Sequence, residues 1–235
     1  MRRIIHGVDR AVDAALFLAF LLLFLIGAYS VYDTLLVFGQ AQDASVLRYK
    51  PQTVSTQQEQ DERPVLQGAV AWLTVDDTGI DYPVMQGADN AEYLNKDPYG
   101  GYSVAGSIFL DAHNAPDFSD PYSLIYGHHM EHGLMFGTLD SFLDKDYFDS
   151  HREGTLVVIN GVSYRLELFA AMETDASVRS IFDPAWQEDP LPYIREHAAI
   201  WYEPEGDCLI GMSTCKSLET TERIVVFGVL HEDEQ

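Results

Sequence analysis

Apolar and polar residues follow two different patterns along this chain. From Ala14 to Tyr32, nineteen residues pass without a charge, rich in Leu, Phe and Ala. A bilayer-spanning helix needs about 20 such residues, so the stretch predicts a membrane span. Beyond Ala69 the pattern breaks into short apolar or alternating runs at 69–75, 79–86, 105–110, 122–126, 154–160, 162–171, 208–214 and 223–230. Runs of this length, bounded by turn residues, read as strands. Asn160-Gly161, between Thr155-Leu-Val-Val-Ile and Val162-Ser-Tyr-Arg-Leu-Glu-Leu, is the strongest hairpin signal. Two segments carry helical spacing instead. Phe136 to Phe148 has Leu139, Phe142 and Leu143 on one face, and Leu191 to Trp201 follows the Asp189-Pro190 punctuation. The expected fold is mainly β: an eight-stranded barrel with inserted short helices, preceded by an N-terminal transmembrane helix.

Charge orients the span. Arg2, Arg3 and Arg10 precede it, and the next basic residue is Arg48. The positive-inside rule puts the N-terminus in the cytoplasm and the rest of the chain outside, as a single-pass protein of the cell membrane. A cleaved signal peptide is the competing reading, but the apolar stretch is long for one and no A-x-A site follows it. The expected organisation is a cytoplasmic N-terminus (1–13), a signal anchor (14–32), a helical or linker stalk (33–68) and a barrel domain (69–235). Pro51 to Pro64 is polar and rich in Gln, as a stalk would be. The net charge is −23, with most acidic residues beyond the span. That excludes a nucleic-acid partner, whose backbone requires a basic stripe.

Two cysteines in an oxidising compartment invite a disulfide. Cys208 and Cys215, however, stand at the two ends of one predicted strand. At about 3.3 Å per residue they lie roughly 23 Å apart, far beyond the roughly 4.4–6.8 Å Cα separation of a disulfide. Cys215 is therefore expected as a free thiol and Cys208 as a core residue.

Three polar residues sit at the ends of strand-like runs: His128 after Leu124-Ile-Tyr-Gly, Cys215 after Leu209-Ile-Gly-Met-Ser-Thr, and Arg223 before Ile224-Val-Val-Phe. Brought together, a thiol, an imidazole and a guanidinium supply a nucleophile, an acid/base and an oxyanion stabiliser. Each has a plainer reading. A cysteine at a strand end is usually a small buried hydrophobe, and Arg223 could pair at the surface with Glu222 or Glu219. Residues 128–132 also spell H-x-x-E-H, a zinc-protease pattern that requires a helix. Gly127 and Gly133 flank it and point to a strand-to-loop geometry instead. Strand parity separates His128 from His129 but does not say which faces the site. His113 and His132 read as solvated loop residues.

Several segments in order resemble the sortases, membrane-anchored cysteine transpeptidases of Gram-positive bacteria, and specifically their class B. They are Trp72-Leu-Thr-Val, Asp81-Tyr-Pro-Val-Met-Gln-Gly, Asp89-Asn90, Tyr93-Leu94, Gly106-Ser-Ile-Phe-Leu-Asp111, Tyr126-Gly-His-His-Met130, Gly133-Leu-Met-Phe-Gly137 and Ser213-Thr-Cys215. The resemblance spans roughly Trp72 to Leu230. It implies Cys215 as nucleophile, His128 rather than His129 as acid/base, and Arg223 as oxyanion stabiliser. It further implies a peptide groove lined by Asn90, Leu94, Tyr126 and Ser213. The implied partners are surface proteins or pilins bearing a sorting signal, and a lipid-linked peptidoglycan precursor; no metal or organic cofactor is required. Ser217 departs from those members that carry an acidic residue two positions after the cysteine. A membrane-anchored cysteine protease and a non-catalytic surface-binding domain are the alternatives.

Overall fold

A computed structural model describes residues 2–41, 43–51, 66–159, 161–186, 189–215 and 221–232. The chain divides into two compact units, Met1–Gln40 and Ala41–Gln235. The first is helix α1 (Arg2–Ala41), the one described helix long and apolar enough to cross a membrane. Its central side chains, from Leu16 to Tyr32, are exposed.

The second unit is built on nine strands: β1 (Ala69–Val75), β2 (Asp81–Met85), β3 (Ile108–Leu110), β4 (Tyr122–Gly127), β5 (Glu153–Val158), β6 (Ser163–Asp175), β7 (Ile200–Trp201), β8 (Leu209–Cys215) and β9 (Glu222–Glu232). Their order is β5-β1-β2-β3-β4-β8-β9-β6-β7, and β5 also pairs with β6. That pairing closes eight strands into a barrel and leaves β7 as a two-residue addition to β6. The expected barrel is therefore present, with strand ends within a few residues of the apolar runs. Val157 pairs Ser163 across the predicted hairpin, whose Asn160 lies outside the described residues.

Most neighbours are antiparallel, but β2–β3 and β4–β8 run parallel. A parallel pair needs a crossover connection, and the one between β4 and β8 contains β5, β6 and β7. β9 shows why the apolar run 223–230 does not alternate. Ile224 and Val226 join the barrel interior, while Val225, Phe227 and Val229 join a second cluster on the outer face. That outer face is covered between β6 and β7 by α3 (Arg179–Phe182) and α4 (Leu191–His197), through Ile181 and Ile194. A strand buried on both faces has no polar side to show.

The segment expected as a helix at 136–148 divides in two. Residues 137–143 are 3-10 helix and α2 follows at Lys145–Ser150, capped by the Asp144 side chain on Tyr147 N. Pieces this short are not stable alone and are held by packing. Phe142 is fully buried against the rings of Tyr147, Phe148 and His151, a burial that stabilises by about 1.5–3 kcal/mol.

Gly137 starts this segment because nothing larger fits. A Cβ there would lie 1.9 Å from the carbonyl oxygen of Met130, a backbone atom with no freedom to move aside. Gly137→Ala is expected to destabilise the fold by about 3 kcal/mol or more, the upper end for overpacking. It should also disturb residues 128–130. A thermal melt checks the first effect, and an unchanged midpoint would contradict the close approach.

Within the stretch expected as a stalk, residues 44–49 form a 3-10 helix and Lys50 bonds Asp81 at 2.6 Å. Asp81 also accepts from Trp72 Nε1 and Thr74 Oγ1, so one carboxylate ties this segment to β1 and β2.

Candidate functional site

The parallel pairing of β4 and β8 sets Tyr126 beside Ser213 and Gly127 beside Thr214. The next residues are His128, just past the end of β4, and Cys215, the last of β8. On the other side of β8, Cys215 is the antiparallel partner of Arg223 on β9. The three candidates thus stand at one rim of the barrel on three adjacent strands, β4, β8 and β9. Two of these strands end there and the third begins.

The imidazole of His128 lies 2.7 Å, through Nε2, from the carbonyl oxygen of Leu94. A carbonyl can only accept, so Nε2 carries the proton and, in the neutral ring, Nδ1 is the open nitrogen. Gly106 makes room for this contact. Its φ is +62°, and a Cβ there would meet Leu94 O at 2.6 Å and His128 Cδ2 at 3.0 Å. His129 is turned elsewhere, with Nε2 2.8 Å from Asp140. Residues 128–132 are not α-helical: Met130 is extended and His132 has φ 61°. His128 and His132 therefore do not share the helix face that a zinc-binding H-x-x-E-H needs.

Arg223 is half-buried, and its Nη1 donates to the Glu222 carbonyl at 3.1 Å. Its charge reaches Tyr126 and Asp175. Asp175 accepts from Ser177 and from Thr221, and with Arg223 nearby its carboxyl is held down at about 2. Ser217 and Lys216 lie outside the described residues. Cys208 precedes β8 at the far end of the strand, half-buried, with its Sγ on the carbonyls of Phe118 and Asp120. Burial pushes that thiol up, and Asp120 adds to the effect.

The four expected groove residues converge on the same rim. Leu94 is exposed, Asn90 and Tyr126 are half-buried, and Ser213 is buried with no hydrogen-bond partner for its hydroxyl. Burial, followed by the Asp111 carboxylate, pushes the Tyr126 phenol well above its ordinary range, while Arg223 pulls the other way. Asp111 itself was not singled out in the sequence beyond its place in a matching segment. Its position at the end of the apolar run 105–110 is the one local signal it carries.

A family model for the sortase domain matches residues 73–231. Sortase B of Listeria monocytogenes is 35% identical over 171 residues, covering 68% of this chain and 69% of that protein. Sortase B of Staphylococcus aureus is 31% identical, covering 67% of this chain and 68% of its own. Among solved structures, a Streptococcus pyogenes class B sortase involved in pilus biogenesis superposes with a TM-score of 0.65 at 37% identity, over 70% of this chain and 92% of that one. The S. aureus sortase B–substrate complex superposes at 0.63 and 27% identity, over 72% and 82%. Domain, sequence and closed barrel agree, and the chain belongs to the sortase family, in its class B, as a cysteine transpeptidase of cell-wall anchoring.

Proposed function

We propose that this sortase cleaves the C-terminal sorting signal of a surface protein after threonine and passes the acyl group to an amine. The observation carrying this reading is the strand register, which draws His128, Cys215 and Arg223 to one rim from distant parts of the sequence. The Cys215 thiolate attacks the threonine carbonyl carbon, forming a C–S bond. As the C–N bond breaks, His128 protonates the leaving amine, an exchange assigned to Nδ1 because Nε2 is held by Leu94. Arg223 stabilises the oxyanion between these events. An incoming amine then attacks the thioester and yields its proton to His128, and the thiolate leaves.

The amine comes from a lipid-linked peptidoglycan precursor or from a pilin lysine; the S. pyogenes relative involved in pilus biogenesis supports keeping the second. The groove is lined by Asn90, Leu94 and Tyr126, with Ser213 buried beneath it and its hydroxyl unpartnered. Helix α1 anchors the chain with its N-terminus in the cytoplasm, so that enzyme, cargo and lipid-linked donor meet at one surface and at raised effective concentration.

The test is intact-mass spectrometry of the full chain in detergent micelles, incubated with Asn-Pro-x-Thr and Leu-Pro-x-Thr peptides with and without an added amine. An adduct on Cys215 that transfers to the amine is the expected result. Release to water alone, whatever the amine concentration, would make the chain a membrane-anchored protease.

A further inference from the structure

Asp111 is buried to within 1% of its surface, and four donors converge on its carboxylate. Oδ1 accepts from the backbone N–H of His113 at 2.9 Å and from the His113 ring at 3.0 Å. Oδ2 accepts from Asn90 Nδ2 at 2.7 Å and from the Tyr126 hydroxyl at 3.0 Å. Asn90 is held from its other end as well, its Oδ1 accepting from Ala112 N at 2.8 Å. The backbone around Asp111 is fixed in turn, because Gln86 Nε2 donates to the Asp111 carbonyl at 3.0 Å.

We propose that Asp111 is a positioning residue of the peptide groove, setting which hydrogen-bonding atoms Asn90 and Tyr126 turn toward the sorting signal. The inference rests on the reading of that groove given above. With its proton committed to Asp111, the Tyr126 oxygen has only lone pairs to offer. Asn90 cannot turn over without setting its NH2 against the Ala112 N–H, so it keeps one free N–H and one free lone pair. The groove therefore selects a peptide that brings a donor, a backbone N–H or an amide or hydroxyl side chain, to Tyr126. It disfavours one that offers only carbonyls there.

Asp111→Asn tests this with almost no change in shape. An amide has one oxygen where the carboxylate has two. The backbone N–H of His113 cannot be reversed, so it keeps that oxygen on its own side. The new NH2 then faces Asn90 and Tyr126 and forces both to reverse polarity. The experiment uses the full chain in detergent and reads three quantities: thermal midpoint, the rate of Cys215 alkylation by iodoacetamide, and KM and kcat for whichever peptide acylates the wild type.

The expected result is a roughly 10- to 100-fold fall in kcat/KM, the range for losing hydrogen bonds to a charged group, carried mainly by KM and with alkylation unchanged. The exchange variant Asp111→Asn/Asn90→Asp restores a donor–acceptor pair between the two positions, with its direction reversed. It should recover the thermal midpoint while KM stays raised. Recovery of KM together with stability would reduce Asp111 to a structural role and overturn the proposal. So would an Asp111→Asn protein with wild-type KM. If the wild type takes up none of the peptides, the sorting-signal reading of the groove falls and this proposal falls with it.

Discussion

Replacing Cys215 by alanine is expected to eliminate the acyl-enzyme completely, with no adduct at any peptide concentration and no transfer to amine. Every covalent step runs through that sulfur, and neither His128 nor Arg223 can take its place. His128, held at Nε2 by Leu94, is left with Nδ1 for proton transfer, and a guanidinium is a donor fork rather than a nucleophile. What survives is the binding and oxyanion stabilisation that in other nucleophilic enzymes leaves about 10³–10⁴ over water, too slow to appear as product on the wild-type timescale. Cys208→Ala is the matched control. Its thiol sits at the opposite end of β8, bonded to Phe118 and Asp120 carbonyls and held protonated by burial. That variant should acylate like the wild type. Peptide cleavage by Cys215→Ala at an undiminished rate would dismiss the thioester route.

Arg223→Ala should be the next most damaging change, lowering kcat/KM by about 10²–10³, the usual cost of one oxyanion donor. The loss should be chemical rather than structural. Arg223 is half-buried at the start of β9, and the strand beyond it, from Ile224 to Leu230, is locked by apolar contacts on both faces. The thermal midpoint should therefore scarcely move. Arg223→Lys should not restore the rate, because an ammonium lacks the planar fork of donors. Single-turnover acylation checks this. A rate within threefold of wild type for Arg223→Ala would remove the guanidinium from the mechanism.

The barrel strands were legible because alternation and two-sided burial leave a direct trace in residue order. Ala69–Val75 falls on its apolar run, and β9 extends one residue before and two beyond the run read for it. β7 is misread from the pattern: the helical run 191–201 takes in Ile200 and Trp201, but the helix ends at His197 and these two residues pair with the middle of β6 instead. The run 136–148 has helical spacing, but spacing does not distinguish a 3-10 turn from an α-helix when packing holds both. The candidate site divides in the same way. Strand-end positions single out His128, Cys215 and Arg223, while the choice between His128 and His129 depends on partners at Leu94 and Asp140 that no local pattern encodes. Asp111 is the extreme case, since its meaning lies in bonds to Asn90 and Tyr126, remote from it along the chain.

The parallel ladder between β4 and β8 has a kinetic consequence. Hairpins such as β5–β6 close over a few residues and form early, whereas β4 must wait for β8 until the whole intervening chain has been synthesised and ordered. Contacts of such long range are the slow ones, because the loop-closure entropy falls due before they return any stability. His128 and Cys215 ride on that last ladder. Until that ladder forms the thiol lacks its imidazole neighbour, although Arg223 already pairs with it through the local β8–β9 hairpin. The full site is assembled only at barrel closure. A chain that stalls before that point carries a thiol that reacts as any cysteine does but has no imidazole to pass a proton to a leaving amine.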